Sequence, residues 1–348
     1  MPTARTASCG SRRCGACSSV EVKIAILGAG AWGTALSIAF AERHEVTLWA
    51  RDAAQRATLR TVRRSGYLPE AILPDGVAIA DDALAAIRAT ELAVIATPIA
   101  GLRAAAELVA QGGGRRPLVW VCKGFEASSG KLPHQVVADV LGPAAPTAVL
   151  SGPSFAAEVA RGQPTAVTLA ARDGDFAREL ARELHQRRLR LYFTDDLPGV
   201  EVGGAVKNVM AIATGISDGL GLGLNARAAL ITRGLAEVTR LGVALGGRAE
   251  TLMGLAGAGD LILTCTGDLS RNRRVGLALG RGEKLDPILA GLGHVAEGVP
   301  TAREVDRVAR GRGIDMPITR EVCAVLFEDR APAHAVENLL ARDPKAED

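Results

Sequence analysis

Residues 22–27 (VKIAIL) form a short apolar run that leads directly into Gly28-Ala29-Gly30-Ala31-Trp32-Gly33, and an apolar pattern at helical spacing follows to about residue 43. Strand, glycine turn and helix in that order confine the chain to few folds, because this arrangement aims a helix N-terminus at a bound dinucleotide. Gly28 permits the tight turn, Gly30 lets a pyrophosphate approach the backbone, and Gly33 lets helix and strand pack closely. The free N–H groups and the positive dipole end of the helix favour phosphate. A second strand, at residues 45–50 (EVTLWA), ends at Arg51-Asp52, where the ribose-reading residue is expected. An acidic side chain there suits NAD, and an arginine accommodates the extra phosphate of NADP. Both are present, so the choice stays open, with Arg51 tipping it towards NADPH.

Further strands are expected at residues 92–97, 118–122, 148–150, 166–170 and 189–194, with helical segments between most of them. Continuous apolar runs alternating with helices predict an α/β fold, a Rossmann-type doubly wound and mostly parallel sheet. Ligands bind such sheets at the carboxyl ends of the strands. Thr97-Pro98, Lys123-Gly124 and Ser151-Gly152-Pro153-Ser154 all fall there. After the turn-rich residues 195–199 the pattern changes to helices throughout. With 348 residues the chain is long enough for two full cores. The expected division is a dinucleotide-binding domain over 21–198 and an all-helical substrate domain over 199–348. Residues 1–20 are expected to be a disordered extension.

A net charge of +3 with mixed signs, and aromatics at only 3%, leave no basic, aromatic-laced surface for nucleic acid. No apolar run approaches the roughly 20 residues of a membrane span, so no membrane insertion is expected. Cys14 and Cys17, with Cys9 before them, have a spacing seen in zinc sites, but a fourth ligand is not in evidence and the segment has no core-forming pattern, so no metal is expected. The N-terminal residues lack the apolar stretch of a secretory signal. A cytoplasmic protein with reduced thiols is the expectation.

The second half carries the chemistry. Residues 201–221 (EVGGAVKNVMAIATGISDGLG) are almost free of charge, yet Lys207 sits in their middle, one of only six lysines among 41 basic residues. A lysine ammonium is compact and loses its proton when desolvated, which suits a general acid or base. Gly203 and Gly204 before it allow another backbone or a ligand to come close. Residues 254–267 (GLAGAGDLILTCTG) hold a single carboxylate, Asp260, placed to orient Lys207, to hold a substrate hydroxyl or simply to cap a helix. Ser270-Arg271-Asn272-Arg273-Arg274 packs three arginines and two small polar side chains together, a pattern suited to phosphate oxygens and also to a solvated helix face. Cys265 has no histidine nearby in sequence to activate it and reads as a buried structural thiol.

Together these segments resemble the bacterial NAD(P)-dependent glycerol-3-phosphate dehydrogenase family over about residues 22–330. The resemblance rests on GAGAWGTAL, VCKGFE, SGPSFAAEVA, VKNVMAIATGISDGLGLGLNARAALITRGLAE and GLAGAGDLILTCTGDLSRNRRVG, with AEGVPTA and MPIT adding to it. It implies that dihydroxyacetone phosphate and sn-glycerol 3-phosphate are interconverted with NADP or NAD, supplying the backbone for glycerophospholipids, by a homodimer. It implies Lys207 as proton donor and acceptor, with Lys123, Gly152 and Ser154 lining the substrate pocket. Asp260, Ser270, Arg271 and Asn272 would hold substrate, Arg271 and Lys123 also reaching the cofactor. Trp32, Arg51 and Ala156 match cofactor-contact positions, and Val295 and Glu297 would close over the nicotinamide side. Ala31 stands where serine is frequent, and Cys122 where threonine is usual. Other two-domain dehydrogenases share the Gly203-x-x-x-Lys207 spacing but fit the SRNRR and GAGDL segments poorly. A non-catalytic NADPH sensor would have no use for paired Lys207 and Lys123.

Overall fold

The structure, a computed structural model, describes residues 21–113, 116–127, 129–292 and 296–343. Eight strands form one sheet: β1 (Lys23–Leu27), β2 (Glu45–Trp49), β3 (Ala78–Ile79), β4 (Leu92–Ile95), β5 (Leu118–Trp120), β6 (Thr147–Ser151), β7 (Thr165–Ala171) and β8 (Leu189–Thr194). They lie in the order β3-β2-β1-β4-β5-β6-β7-β8. All pairs are parallel except β6–β7, where Ala148 faces Ala171 in an antiparallel register. The mostly parallel doubly wound sheet is as expected. The sequence reading overlooked β3, whose two residues are too few to show a period.

Burial explains the strand sequences. Every residue of β4 and β5 is buried, as a parallel strand covered by helices on both faces requires. The edge strand β8 alternates buried and exposed residues over its first four positions. Leu27, Ile95, Trp120 and Ser151 end four parallel neighbours, so the residues that follow them gather along one edge of the sheet.

Among the described residues no strand follows Thr194; helices carry the chain from Leu197 onward. The first of these, Leu197–Gly219, is buried at nearly every position as far as Ser217. A helix apolar on all sides belongs in a core, and this central helix packs against the sheet on one side and other helices on the rest. Helix Arg271–Gly280 crosses it most closely, for a reason written in four glycines. A Cβ built on Gly215 or Gly219 would lie 2.9 Å from the Cα of Gly276 or Gly280 respectively. Side chains at these positions would hold the two backbones apart.

Candidate active site

The dinucleotide turn is built as its glycines require. Gly28 has φ +117°, and a Cβ on it would come within 2.7 Å of the Ala96 carbonyl oxygen at the end of β4. A Cβ on Gly33 would collide with the Gly28 carbonyl oxygen, so only glycine lets helix Ala31–Phe40 start this close to the strand. Gly30 is different: a Cβ there would meet nothing within 4 Å, leaving open space at the helix N-terminus. Gln55 Nε2 and Ser65 Oγ donate to the Ala29 carbonyl at 2.7 and 3.2 Å and hold the turn in shape. Trp32 and Ala156 pack into one small apolar cluster beside it. Arg51 is exposed just beyond β2, and its side chain has no hydrogen bond or ion pair among the described residues. Asp52 is occupied: it caps helix Ala53–Thr61 by accepting from Ala54 N at 2.8 Å.

At the neighbouring strand ends a charged cluster is buried. Asp260, fully inaccessible, bridges two ammonium groups. Its Oδ2 accepts from Lys123 Nζ at 2.6 Å, and its Oδ1 from Lys207 Nζ. Lys207 Nζ also donates to Thr264 Oγ1 at 3.0 Å, and Lys123 Nζ reaches the Gly152 carbonyl at 3.4 Å. Gly152 has φ +149°, and Ser154 Oγ donates to its carbonyl at 3.1 Å. Burial lowers the pKa of Lys207 to about 8; Asp260 pulls it up, and the Lys123 charge pushes it further down. A lysine held there is divided between acid and base forms near neutral pH, as proton transfer needs.

The glycines before Lys207 serve the cluster. A Cβ on Gly203 would come within 2.5 Å of the Ala256 carbonyl, in the single wide turn Leu255–Gly259 that delivers Asp260. A Cβ on Gly204 would lie 2.8 Å from Ser151 Oγ and 3.5 Å from Lys123 Cδ. Helix capping, considered for Asp260, is not its use: the carboxylate is spent on the two lysines, and Gly259 precedes it at the helix start.

Only part of the basic segment faces this cluster. Ser270 caps helix Arg271–Gly280 by accepting from Arg273 N at 3.2 Å. Arg273 is bound to Asp218 at 2.7 Å and to Asp268 at 2.9 Å, and Arg274 is exposed. Arg271 is partly buried with no hydrogen bond or ion pair among the described residues, and its charge bears on Glu297. Asn272 Nδ2 donates to Asn208 Oδ1 at 2.9 Å, and its Oδ1 accepts from Gly298 N at 3.0 Å. It ties Lys207's neighbour to the segment carrying Glu297. Burial pushes the Glu297 carboxyl up, against Arg271, Lys123 and Lys207, which favour its charged form. Val295 lies outside the described residues, as do Cys14 and Cys17.

Residues 23–177 match the family described as NAD-dependent glycerol-3-phosphate dehydrogenase N-terminus, and residues 196–337 match its C-terminus. The chain belongs to the NAD-dependent glycerol-3-phosphate dehydrogenase family. It is 63% identical over 327 residues to the glycerol-3-phosphate dehydrogenase [NAD(P)+] of Dechloromonas aromatica, covering 94% of this chain and 99% of the relative. It is 59% identical to the same enzyme of Aromatoleum aromaticum, covering 94% and 100%. The crystal structure of glycerol-3-phosphate dehydrogenase from Coxiella burnetii superposes with a TM-score of 0.88 at 42% identity, covering 92% of this chain and 99% of that one.

Within this family framework, one residue of the cluster, Thr264, and one buried carboxylate outside it, Glu201, escaped the sequence reading. Thr264 lies one helical turn after Asp260 and donates to its carbonyl at 2.6 Å; the Asp-x-x-x-Thr spacing was a usable signal. Glu201, the first residue of the charge-poor stretch, has its carboxylate buried against Trp120 at the end of β5, and nothing in its local sequence says so. Cys265 is wholly buried, and burial pushes its thiol up to about 12, so it offers no thiolate for covalent chemistry.

Proposed function

We propose that Lys207, Asp260 and Lys123 form the catalytic centre of an NAD(P)-dependent glycerol-3-phosphate dehydrogenase, which reduces dihydroxyacetone phosphate reversibly to sn-glycerol 3-phosphate. The observation that carries this reading is a pair of largely buried lysines sharing one inaccessible carboxylate beside a dinucleotide turn. The residues present fit the cofactor. Open space at Gly30, N–H groups at the start of helix Ala31–Phe40 and Arg51, unpaired among the described residues, together suit a pyrophosphate and a ribose phosphate. With Asp52 committed to its helix cap, the reading favours NADPH over NADH. Trp32, Ala156, Val295 and Glu297 complete the proposed cofactor site.

The nicotinamide, when bound, supplies a hydride. The chain's residues do the rest. Arg271, with Ser270 and Asn272, binds the substrate phosphate; of the three arginines, Arg271 is the one that is unpaired among the described residues and whose charge bears on Glu297. Lys207, as ammonium, hydrogen-bonds the ketone oxygen and gives up its proton as the carbonyl carbon is reduced. Lys123 adds positive potential where the oxyanion develops. Asp260 holds both ammonium groups in place, and Gly152 and Ser154 shape the pocket wall. In the oxidative direction neutral Lys207 takes the proton back.

The proposal extends to a Rossmann domain over 21–198, a helical domain over 199–348, a homodimeric assembly, a cytoplasmic location and a role in supplying phospholipid backbone. Among the described residues no helix is long and apolar enough to cross a membrane. The test follows absorbance at 340 nm as the purified chain meets dihydroxyacetone phosphate with NADPH or NADH. Absorbance should fall with both, faster with NADPH. Lys207→Ala should lose at least a thousandfold in kcat with NADPH still bound, and Arg271→Ala should raise the substrate KM at least thirtyfold, about 2 kcal/mol. Turnover by Lys207→Ala within a few fold of the parent would overturn the central assignment.

A further inference from the structure

Glu201 is one of the few buried charged groups that the mechanism above leaves unused. It sits on the central helix, 4% exposed, and both its carboxylate oxygens are taken by the sheet half of the molecule. Oε1 accepts from Trp120 Nε1 at 3.0 Å and from the backbone N–H of His134 at 2.8 Å. Oε2 shares a hydrogen bond of 2.5 Å with His134 Nδ1. Trp120 is the last residue of β5, three positions before Lys123, and is itself fully buried.

Glu201, Gly204 and Lys207 follow one another at i, i+3 and i+6, so they are successive neighbours along the helix surface. Each meets the same stretch of chain beyond β5. Glu201 holds Trp120, Gly204 lies against the Lys123 side chain, and Lys207 meets Lys123 through Asp260. The bottom contact is the one built from a carboxylate and three donors. It fixes how far along the helix the β5 segment sits, and therefore where Lys123 arrives relative to Lys207. A shift of about 1.5 Å, the rise of one residue, would take Lys123 off Asp260.

We propose that Glu201 is a positioning residue for the reaction: through Trp120 and His134 it locks the central helix to the end of β5 and so sets the spacing of the two lysines. This rests on the assignment of Lys207 and Lys123 as the reacting pair. Glu201→Leu keeps the volume and removes the hydrogen bonds. Glu201→Gln keeps an acceptor for Trp120 Nε1 and His134 N, and offers a donor to His134 Nδ1.

The experiment measures kcat per NADPH-binding site for dihydroxyacetone phosphate reduction, with NADPH binding read from the cofactor's own fluorescence. Glu201→Leu should lower kcat per site at least tenfold while the substrate KM and the NADPH Kd stay within threefold. Glu201→Gln should recover kcat to within threefold of the parent. A role confined to stability would reduce the number of binding sites without changing kcat per site. Unchanged kcat per site in Glu201→Leu, or a Gln variant as impaired as Leu, overturns the proposal. Should the Leu variant not fold, Trp120→Phe decides, since it removes the indole donor, together with part of the buried ring, while leaving Glu201 and both His134 groups in place: a threefold or larger fall in kcat per site at constant NADPH affinity supports the lock, and no fall overturns it. Lys207→Ala is run alongside. If that variant keeps its turnover, the lysine assignment has failed; if it is dead while Glu201→Leu is fully active, only the lock has failed.

Discussion

Lys207 shows what burial does to one side chain. An ammonium in water has no reason to release its proton near neutrality, but burial removes the solvation that stabilises the charge. Burial, with Lys123 adding to it and Asp260 opposing, brings Lys207 to about 8. The sign of the pH dependence follows. Reduction needs the ammonium, so kcat/KM should be level at low pH and fall about tenfold per unit above roughly 8. Oxidation of glycerol 3-phosphate needs the neutral amine and should rise through the same region. Profiles of both directions with saturating cofactor check this, and a reduction limb that stays near the ordinary lysine value of 10.5 would remove Lys207 as the proton donor. The chemical type of Lys207 was legible in its sequence, because one lysine in a charge-poor helix needs a reason. Its partners were legible only as alternatives: orienting Lys207 was one of three uses open to Asp260. That this one carboxylate bridges Lys207 to Lys123 was not legible, since Asp260 and Lys123 stand 53 and 84 residues from Lys207 along the chain. Arg51 and Asp52 were likewise ambiguous as neighbours in sequence; the structure adds that Asp52 accepts from Ala54 N at the start of its helix.

At the level of elements, the crossing of Leu197–Gly219 with Arg271–Gly280 carries the site. Lys207 and Asn208 ride on one helix, Arg271 and Asn272 on the other, and the glycine contacts set the distance between them. Gly276 is the most confined of these positions, because a Cβ there would strike the Ile212 carbonyl oxygen in the facing backbone. Gly276→Ala should therefore destabilise the protein by about 2 kcal/mol or more, since backbone cannot move aside as a side-chain tip can. It should also raise the substrate KM as the two helices part. Urea unfolding with an unchanged slope reads the first effect, and a loss under 0.5 kcal/mol would mean that the crossing relaxes without cost. The SRNRR segment shows the limit of reading an element by composition. Three arginines within five residues suggested either a phosphate cradle or a solvated helix face, but helical geometry sends them in different directions. Arg273 turns inward to Asp218, Arg274 outward to solvent, and Arg271 is the one whose charge bears on Glu297.

Across the whole molecule, the two halves are coupled through buried contacts rather than through a linker. Asp260 with Lys123, and Glu201 with Trp120 and His134, all join residues from opposite sides of position 198. All three tryptophans, Trp32, Trp49 and Trp120, lie in the sheet half, whereas the long helices dominate the other. Tryptophan fluorescence therefore reports on the sheet half, whereas the helical circular dichroism signal is weighted towards the other half. Their thermal transitions should coincide if the buried contacts make unfolding a single event; transitions several degrees apart would show the halves unfolding independently. The sequence alone determined the kind of sheet, the glycine turn, the helical nature of the second half and the residue types of the chemistry. These depend on local periodicity and backbone permissiveness, which neighbouring residues express directly. Only the tertiary structure decided that β6 and β7 run antiparallel, that one carboxylate serves two lysines, which arginine is left free, and that Glu201 reaches the end of β5. Those outcomes depend on where distant segments meet when the core closes, and a chain carries no local record of such meetings.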